Sequence, residues 1–351
     1  MIIHIGLSIA ELGRLAGPRL GERVGELLRA HRLGNHLVIF DRIVARWIEE
    51  NIELSPPLHA TLTRIAHDYT QTGDLIRRCS DYIKVVADAD GVVRRVGKAI
   101  EMSFDQLALP YVLDRTALVV EDLESDGKLF DFICHNLRDR VGAPPLAWEI
   151  VHGGGERTAS VARQKVDDRR IVSVVADCDM CWPDEKISPK EVALKRVVAE
   201  HAWPLYFVFV PPCREAENLL SWRTVALLPS AAQRLSSLDV TLAVQEAELR
   251  VGVHWRERCW LHLDMKEGFA LEKLPAGARE WLARQLAHAG IGLDEFEFEG
   301  FGDRIFAQLF ANGAILATFR DEIRTVYWWE MFGEFVTRLT WVGAGGSRQF
   351  T

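Results

Sequence analysis

Apolar positions follow two different periods along this chain. From Leu7 to about Arg78 they recur every three to four residues, as in Val24, Leu27 and Leu28 and again in Ile39, Ile43, Val44 and Trp47, which predicts helices packed on one another. Ser55, Pro56 and Pro57 mark a break before another helix. The runs 82–87 and 92–96, separated at Gly91, read as a strand pair or hairpin, with a last strand through 99–104. From Thr116 short apolar runs alternate with amphipathic stretches, predicting strands at 117–121, 147–151, 171–177 and 204–210 and helices near 126–140, 157–168, 188–201 and 215–226. That alternation is the pattern of a parallel α/β sheet flanked by helices. After Pro229 it fades into a mixed region, with a strand near 258–264 and helices near 276–289, 302–312 and 328–339. The expected organisation is a mainly helical N-terminal domain with a strand hairpin (1–115), an α/β domain (116–228) and a C-terminal α+β module (229–351). The chain has no internal repeat, low-complexity tract or long linker, so the three parts are expected to pack together.

Composition narrows the classes. A chain of 351 residues can bury a sizeable core, and its apolar fraction of 48% is ordinary for a globular protein. The first residues are apolar but lack a basic start, Glu11 follows soon, and no apolar run reaches the length of a membrane span; a cytoplasmic protein without membrane association is expected. Cys79, Cys134, Cys178, Cys181, Cys213 and Cys259 are scattered without a disulfide-framework spacing and read as reduced thiols. The net charge of −8 argues against indiscriminate binding to a phosphate backbone, which depends on basic side chains.

The chemistry-bearing residues cluster in the α/β region. Glu121 follows the first apolar run, Asp177 and Asp179 follow the third, and Glu217 lies beyond the fourth. Side chains just past the carboxyl ends of neighbouring parallel strands converge on one crevice, so acids distant in sequence can share an ion. Asp177 and Asp179 are two apart, which on an extended segment turns both to one side. Hard cations such as Mg²⁺ prefer carboxylate and water oxygens. The turn after Glu121 adds Asp122, Glu124 and Asp126, of which Asp126 also suits the cap of the following helix. Gly153, Gly154 and Gly155 follow the second run and precede a helix, a backbone able to approach a phosphate, although three glycines after a strand are more often only a turn. Cys178 and Cys181, with Cys213 or His201, form a weaker zinc pattern, against which Cys178 alternates with the acids and is expected to point into the sheet. His262, Asp264, Lys266 and Glu267 stand in a half-apolar stretch whose charged members could join the acids, and the aromatic run 327–332 could stack bases or a partner but has the spacing of helix core.

Taken in order, these residues resemble the Toprim domain, the metal-dependent fold shared by topoisomerases, primases and nucleases of the overcoming-lysogenization-defect class. Glu121 matches the glutamate after the family's first strand, and Asp177 and Asp179 match its Asp-x-Asp. The segment Arg214-Glu215-Ala216-Glu217-Asn218-Leu219-Leu220 is similar to the Arg-Glu-x-Glu-Asn-Tyr-Leu segment of the nuclease class, and the glycine turn fits as well. The resemblance covers roughly 116–225 and departs from the family in the 122–126 turn, one residue longer than the usual Glu-Gly-x-x-Asp, with Asp126 ahead of Glu124 as its second carboxylate. It implies a Toprim-like sheet and an endonuclease that uses Mg²⁺ or Mn²⁺ to hydrolyse phosphodiester bonds in DNA or in tRNA or another RNA. It further implies metal ligands Glu121, Asp126, Asp177, Asp179 and Glu217, with Glu215 less certain, and Arg157 or Lys165 near the scissile phosphate, Lys165 being better read as solvated. The nuclease class serves in bacterial anti-phage systems with an ATPase fused or separate. No Gly-x-x-x-x-Gly-Lys-Ser/Thr loop occurs here, so an ABC-type ATPase or sensor is expected as a separate partner, and the N-terminal region is open to partner binding or homo-oligomerisation. Two other readings stand beside it. One is a haloacid-dehalogenase-like phosphatase with Asp177 as nucleophile, for which the Glu121 strand is surplus; the other is an inactive Toprim-like scaffold or sensor.

Overall fold

Among the described residues nine strands form two separate, mainly parallel sheets. A computed structural model of the chain describes residues 1–87, 91–109, 111–185, 187–268 and 270–348. The first sheet has the order β2-β1-β3-β5-β4, built from β1 (Ile2–Ile5), β2 (Leu37–Phe40), β3 (Tyr82–Val85), β4 (Arg94–Val96) and β5 (Ala99–Met102). Only β4 runs antiparallel, and it forms an exposed edge rich in arginine. The second sheet, order β7-β6-β8-β9, is wholly parallel: β6 (Thr116–Val120), β7 (Trp148–His152), β8 (Val172–Val175) and β9 (Tyr206–Phe209).

The N-terminal region therefore departs from the expected mainly helical domain with a hairpin. Its helices are present, notably Pro18–Arg32, Arg42–Asn51 and Pro56–Thr72, but they flank a five-stranded sheet. Strand β2 is buried at all four positions, so its run Leu37-Val38-Ile39-Phe40 shows no alternation and merges into the helical pattern around it. The expected hairpin about Gly91 is absent: β3 pairs in parallel with β5, and the hairpin that forms joins β4 to β5.

The C-terminal module is a second correction. Among the described residues beyond Pro229 there are helices and short turns but no strand longer than an isolated bridge, so the expected α+β character does not hold. The stretch expected as a strand forms a 3₁₀ turn, Cys259–His262, buried at every position; its apolar residues answer to enclosure on all sides. The helices near 276–289, 302–312 and 328–339 appear as Ala276–His288, Ile305–Ala311 and Val326–Val342, joined by Leu235–Val251 and Gly313–Glu322.

Right-handed crossovers place the helices around the second sheet. The chain moves one way from β6 to β7 and the other way from β7 through β8 to β9, so Lys128–Val141 lies on one face and Thr158–Asp167 and Pro189–His201 on the other. Helix Val326–Val342 packs against Lys128–Val141, with Phe335 edge-on to both Phe130 and Phe209. Past its end, Thr116 donates to Val342 O (3.2 Å), Ala147 N–H to Gly343 O (2.9 Å) and Gly346 N–H to Gly34 O (3.2 Å), so this segment ties the two sheets together. Gly343 lies against the Trp148 ring, where a Cβ would come within 2.3 Å of Cε3. Among the described residues no helix is long and apolar enough to cross a membrane.

Candidate metal centre

The direction of chain travel reverses between β6 and β8, and loops leaving such a switch point part and leave a crevice beyond the carboxyl ends of the strands. Glu121, Asp126 and Asp177 meet there, and the loop after β9 adds Glu217. Asp177 N–H donates to Glu121 Oε1 (3.3 Å), and Ala216 N–H donates to Asp177 Oδ1 (2.9 Å), which links the three loops directly. Burial, then the facing charges of Glu121, Asp126 and Glu217, push the Asp177 carboxyl well above the ordinary carboxylate range.

The lengthened turn resolves into distinct roles. Asp122 caps it, accepting from Glu124 N–H (3.0 Å) and Ser125 N–H (2.8 Å). Glu124 is exposed and ion-paired with Lys128, whereas Asp126 accepts from Asp122 N–H (3.1 Å) and turns inward, where burial and Glu121 raise its pKa. The extra residue is accommodated by a turn of π-helix, Leu123–Gly127.

Asp177 and Asp179 reach the crevice by a different route from the one expected. Strand β8 ends at Val175, and Asp179 has φ 57°, in the left-handed region, so the pair is set by a turn and not by strand alternation. Aspartate tolerates that conformation better than most residues. Asp179 N–H is held by Arg214 O (2.9 Å), and its carboxylate lies at the exposed rim.

Two lysines balance this charge. Lys190 Nζ lies 2.6 Å from Glu121 Oε1 and 3.2 Å from Asp179 Oδ2. It stands in the first turn of helix Pro189–His201, where the positive end of the helix dipole disfavours a cation. A cation misplaced in this way is a sequence signal of facing acids. Lys266 Nζ lies 2.9 Å from Glu215 Oε2 and 3.4 Å from Glu217 Oε1, and these two glutamates raise its pKa.

The Arg214–Leu220 segment divides its labour. Arg214 pairs with Asp264 (2.8 Å) and contacts Cys181 Sγ; Glu215 accepts from Met265 N–H (2.7 Å); Asn218 donates to Trp260 O (2.7 Å) and Leu263 O (3.0 Å). These bonds clamp the loop onto residues 260–266 and leave Glu217 to face the acids. Glu217 is buried, its carboxyl is pushed up to about 7 chiefly by that burial, and its Oε2 has no hydrogen-bonding partner among the described residues.

Other expected members fall elsewhere. Gly153 and Gly154 lie beside Glu121, but their N–H groups donate to Val120 O (2.7 Å) and Glu121 O (3.0 Å) and are spent inside the fold. Gly154 and Gly155 take positive φ, and a Cβ on Gly153 would come within 2.5 Å of Thr158 Oγ1, so these glycines serve the turn. Arg157 is exposed, and among the described residues neither it nor Lys165 pairs with the acids. The thiols do not assemble a zinc set: Cys178 donates to Cys213 O (2.8 Å), Cys213 to Glu215 O (3.3 Å), and His201 pairs with Asp167 (3.1 Å). Burial pushes the Cys178 thiol up to about 12.

No three His, Cys, Asp or Glu side chains among the described residues stand in chelating positions. The donor set nonetheless has the chemistry of a hard-cation site, carboxylate oxygens only, one of them buried without a partner. Comparison of the chain with family models, with curated proteins and with solved structures finds no match.

Proposed function

We propose that this chain is a divalent-metal-dependent nuclease with a Toprim-like catalytic domain, hydrolysing phosphodiester bonds in DNA or RNA. The observation that carries the reading is that Glu121, Asp126, Asp177 and Glu217 face one another at the switch point, with Asp179 at its rim, where burial first and then the neighbouring charges push the Asp177 carboxyl above its ordinary range. Such crowding favours a cation at the same place. Glu121, Asp126, Asp177, Asp179 and Glu217 would hold Mg²⁺ or Mn²⁺, an ion that makes water more acidic and stabilises charge on a phosphoryl oxygen.

The protein's own groups supply the rest. Lys266, fixed by Glu215 and Glu217, keeps a positive charge against the inner acids. Lys190 at the rim is placed to pair with a phosphate oxygen once its carboxylate partners are otherwise engaged. Arg214 is committed to Asp264 and positions the Glu217 loop. An acidic chain lacking a nucleotide-hydrolysis loop fits an effector, as in anti-phage defence, whose substrate access is governed by a separate ATPase or sensor.

The test is cleavage of duplex DNA, single-stranded DNA and tRNA by the purified chain with Mg²⁺ or Mn²⁺. Asp177→Asn and Glu121→Gln are each expected to abolish cleavage while the chain remains folded. Undiminished cleavage by both variants refutes the reading, and binding of nucleic acid without cleavage under any metal favours a scaffold.

A further inference from the structure

The amino ends of the two sheets meet around a small, mainly polar pocket of about 260 Å³. Arg115 lines it from the residue before β6 and Trp148 from the first position of β7, while Gly34 and Arg348 line it from the side of the first sheet. The acidic crevice lies beyond the carboxyl ends of the same strands, so the pocket is a separate place on the molecule. Its walls are fixed. Trp148 Nε1–H donates to Asp131 Oδ1 (2.8 Å), and Arg348 crosses Gly34 so closely that a Cβ there would come within 3.4 Å of its Cγ and 2.7 Å of Gly346 O.

Two arginines that line this space have no acid. Among the described residues neither the Arg115 nor the Arg348 side chain forms an ion pair or a hydrogen bond. The acids nearby are committed: Glu149, whose pKa the Arg115 charge helps to lower after its bond to Arg170, is paired with that Arg170 (2.6 Å), and Asp131 accepts from Trp148 and lies 3.2 Å from His135 Nδ1. The chain carries 50 acidic against 42 basic side chains, so two unmatched arginines in one pocket do not reflect a shortage of carboxylates. Both are open to a ligand, Arg348 being exposed and Arg115 half-buried. His135, exposed at the same wall, gives Nδ1–H to Asp131 O (2.9 Å) and keeps its Nε2 without a partner among the described residues. Its bond to the Asp131 carboxylate raises its pKa, which favours the protonated ring.

We infer that this pocket binds a small phosphate monoester, its phosphoryl group held by Arg115 and Arg348 with the outer nitrogen of His135 as a third donor. Unmatched cationic donors select an anion, and two guanidinium groups beside an imidazole match a dianion better than a single carboxylate. Each guanidinium offers paired N–H groups in a fork that fits phosphate oxygens. The volume lies just below the range of about 300–1,000 Å³ usual for small-molecule sites, which suits a compact ester and not a strand of nucleic acid. The inference does not depend on the metal centre, since no carboxylate of that centre lines the pocket.

Binding is tested on the intact chain by calorimetry at low ionic strength, in EDTA so that no ion at the acidic crevice can hold a phosphate. The probes are glycerol 3-phosphate, glucose 6-phosphate and inorganic phosphate, with acetate as the monoanion for comparison. Saturable binding of at least one ester is expected with a Kd below about 1 mM, at least about tenfold tighter than acetate and no weaker than inorganic phosphate. Arg115→Gln and Arg348→Gln are each expected to weaken it at least about tenfold, by loss of one charged donor. Arg348→Gln should leave the melting temperature of the unliganded chain unchanged, because the exposed side chain has no partner to lose. Absence of saturable binding by both esters, acetate bound as tightly, or an affinity unchanged in both variants overturns the inference, as does a preference for inorganic phosphate over both esters.

Discussion

Glu248 makes the stability of this chain depend on pH in a direction opposite to that of most carboxylates. It is fully buried on helix Leu235–Val251, where Oε1 accepts from Cys259 N–H (2.8 Å) and Oε2 has no partner among the described residues. Burial, only partly offset by that bond and by Arg258, pushes its carboxyl up to about 7. The folded state thus binds a proton that the unfolded chain has released between these values. Stability from this group is complete below the unfolded value near 4.3 and is lost as pH rises through the folded value, a loss of about 3 kcal/mol by pH 8. Glu248→Gln copies the neutral acid and keeps the acceptor for Cys259. Urea unfolding is therefore expected to give equal stability for the two proteins at pH 4.5 and a variant more stable by about 2–3 kcal/mol at pH 8. A difference that does not change between those pH values refutes the claim that Glu248 is buried as the acid.

Three further outcomes follow from other parts of the molecule. Lys190→Met leaves Glu121 and Asp179 facing without a cation, so the metal-free chain should lose about 1–2 kcal/mol and Mg²⁺ should raise its melting temperature more than that of the parent; equal metal-induced shifts would separate Lys190 from the ion site. Gly343→Ala drives a methyl group into the Trp148 ring, which is fixed by its bond to Asp131 (2.8 Å), and should cost about 1–3 kcal/mol in urea unfolding. His31, whose Nδ1 accepts from Val38 N–H (3.0 Å), is held by burial at about 4. Its contribution is present above the unfolded value near 6.5 and is lost as pH falls, by about 2 kcal/mol at pH 5, a slope that His31→Gln should remove from the stability profile.

The α/β region was legible because its strands and helices together show both periods, and because a carboxylate just past an apolar strand is costly to bury unless a cation or a donor meets it. What escaped notice has a physical cause in each case. Strands of four residues buried on both faces, such as β1 and β2, carry no alternation to distinguish them from a turn of buried helix. The 259–262 turn is apolar because it is enclosed, and enclosure has no period. Sequence puts Asp126 ahead of Glu124 in the lengthened turn, and the π-helical turn is what brings Asp126 to the crevice and leaves Glu124 on the surface with Lys128.

The same limit applies to cations. A lysine on a helix reads as solvated, yet Lys190 pairs with the carboxylates of this crevice just as Lys266 does, the one among the charged residues of 262–267 that reaches Glu215 and Glu217. Their positions differ in kind. Lys266 sits between two glutamates, of which Glu215 is itself pinned by Met265 N–H, so its charge belongs to the architecture and should persist in every state. Lys190 bridges Glu121 to a rim aspartate that is half exposed, on a long flexible stem at the start of a helix, so its two ion pairs can open as the stem swings out. A hard cation entering the crevice would displace the second lysine and leave the first, converting Lys190 from a counter-ion of the protein into a free positive charge at the mouth. On this argument the metal-loaded chain should attract a phosphate ester at the rim more strongly than the metal-free chain, by both the ion and the released ammonium group. Lys190→Met should then weaken metal-dependent binding of an oligonucleotide more than metal-free binding, measured by anisotropy with Ca²⁺ to prevent turnover; equal weakening in both conditions would show that Lys190 is not released by the ion.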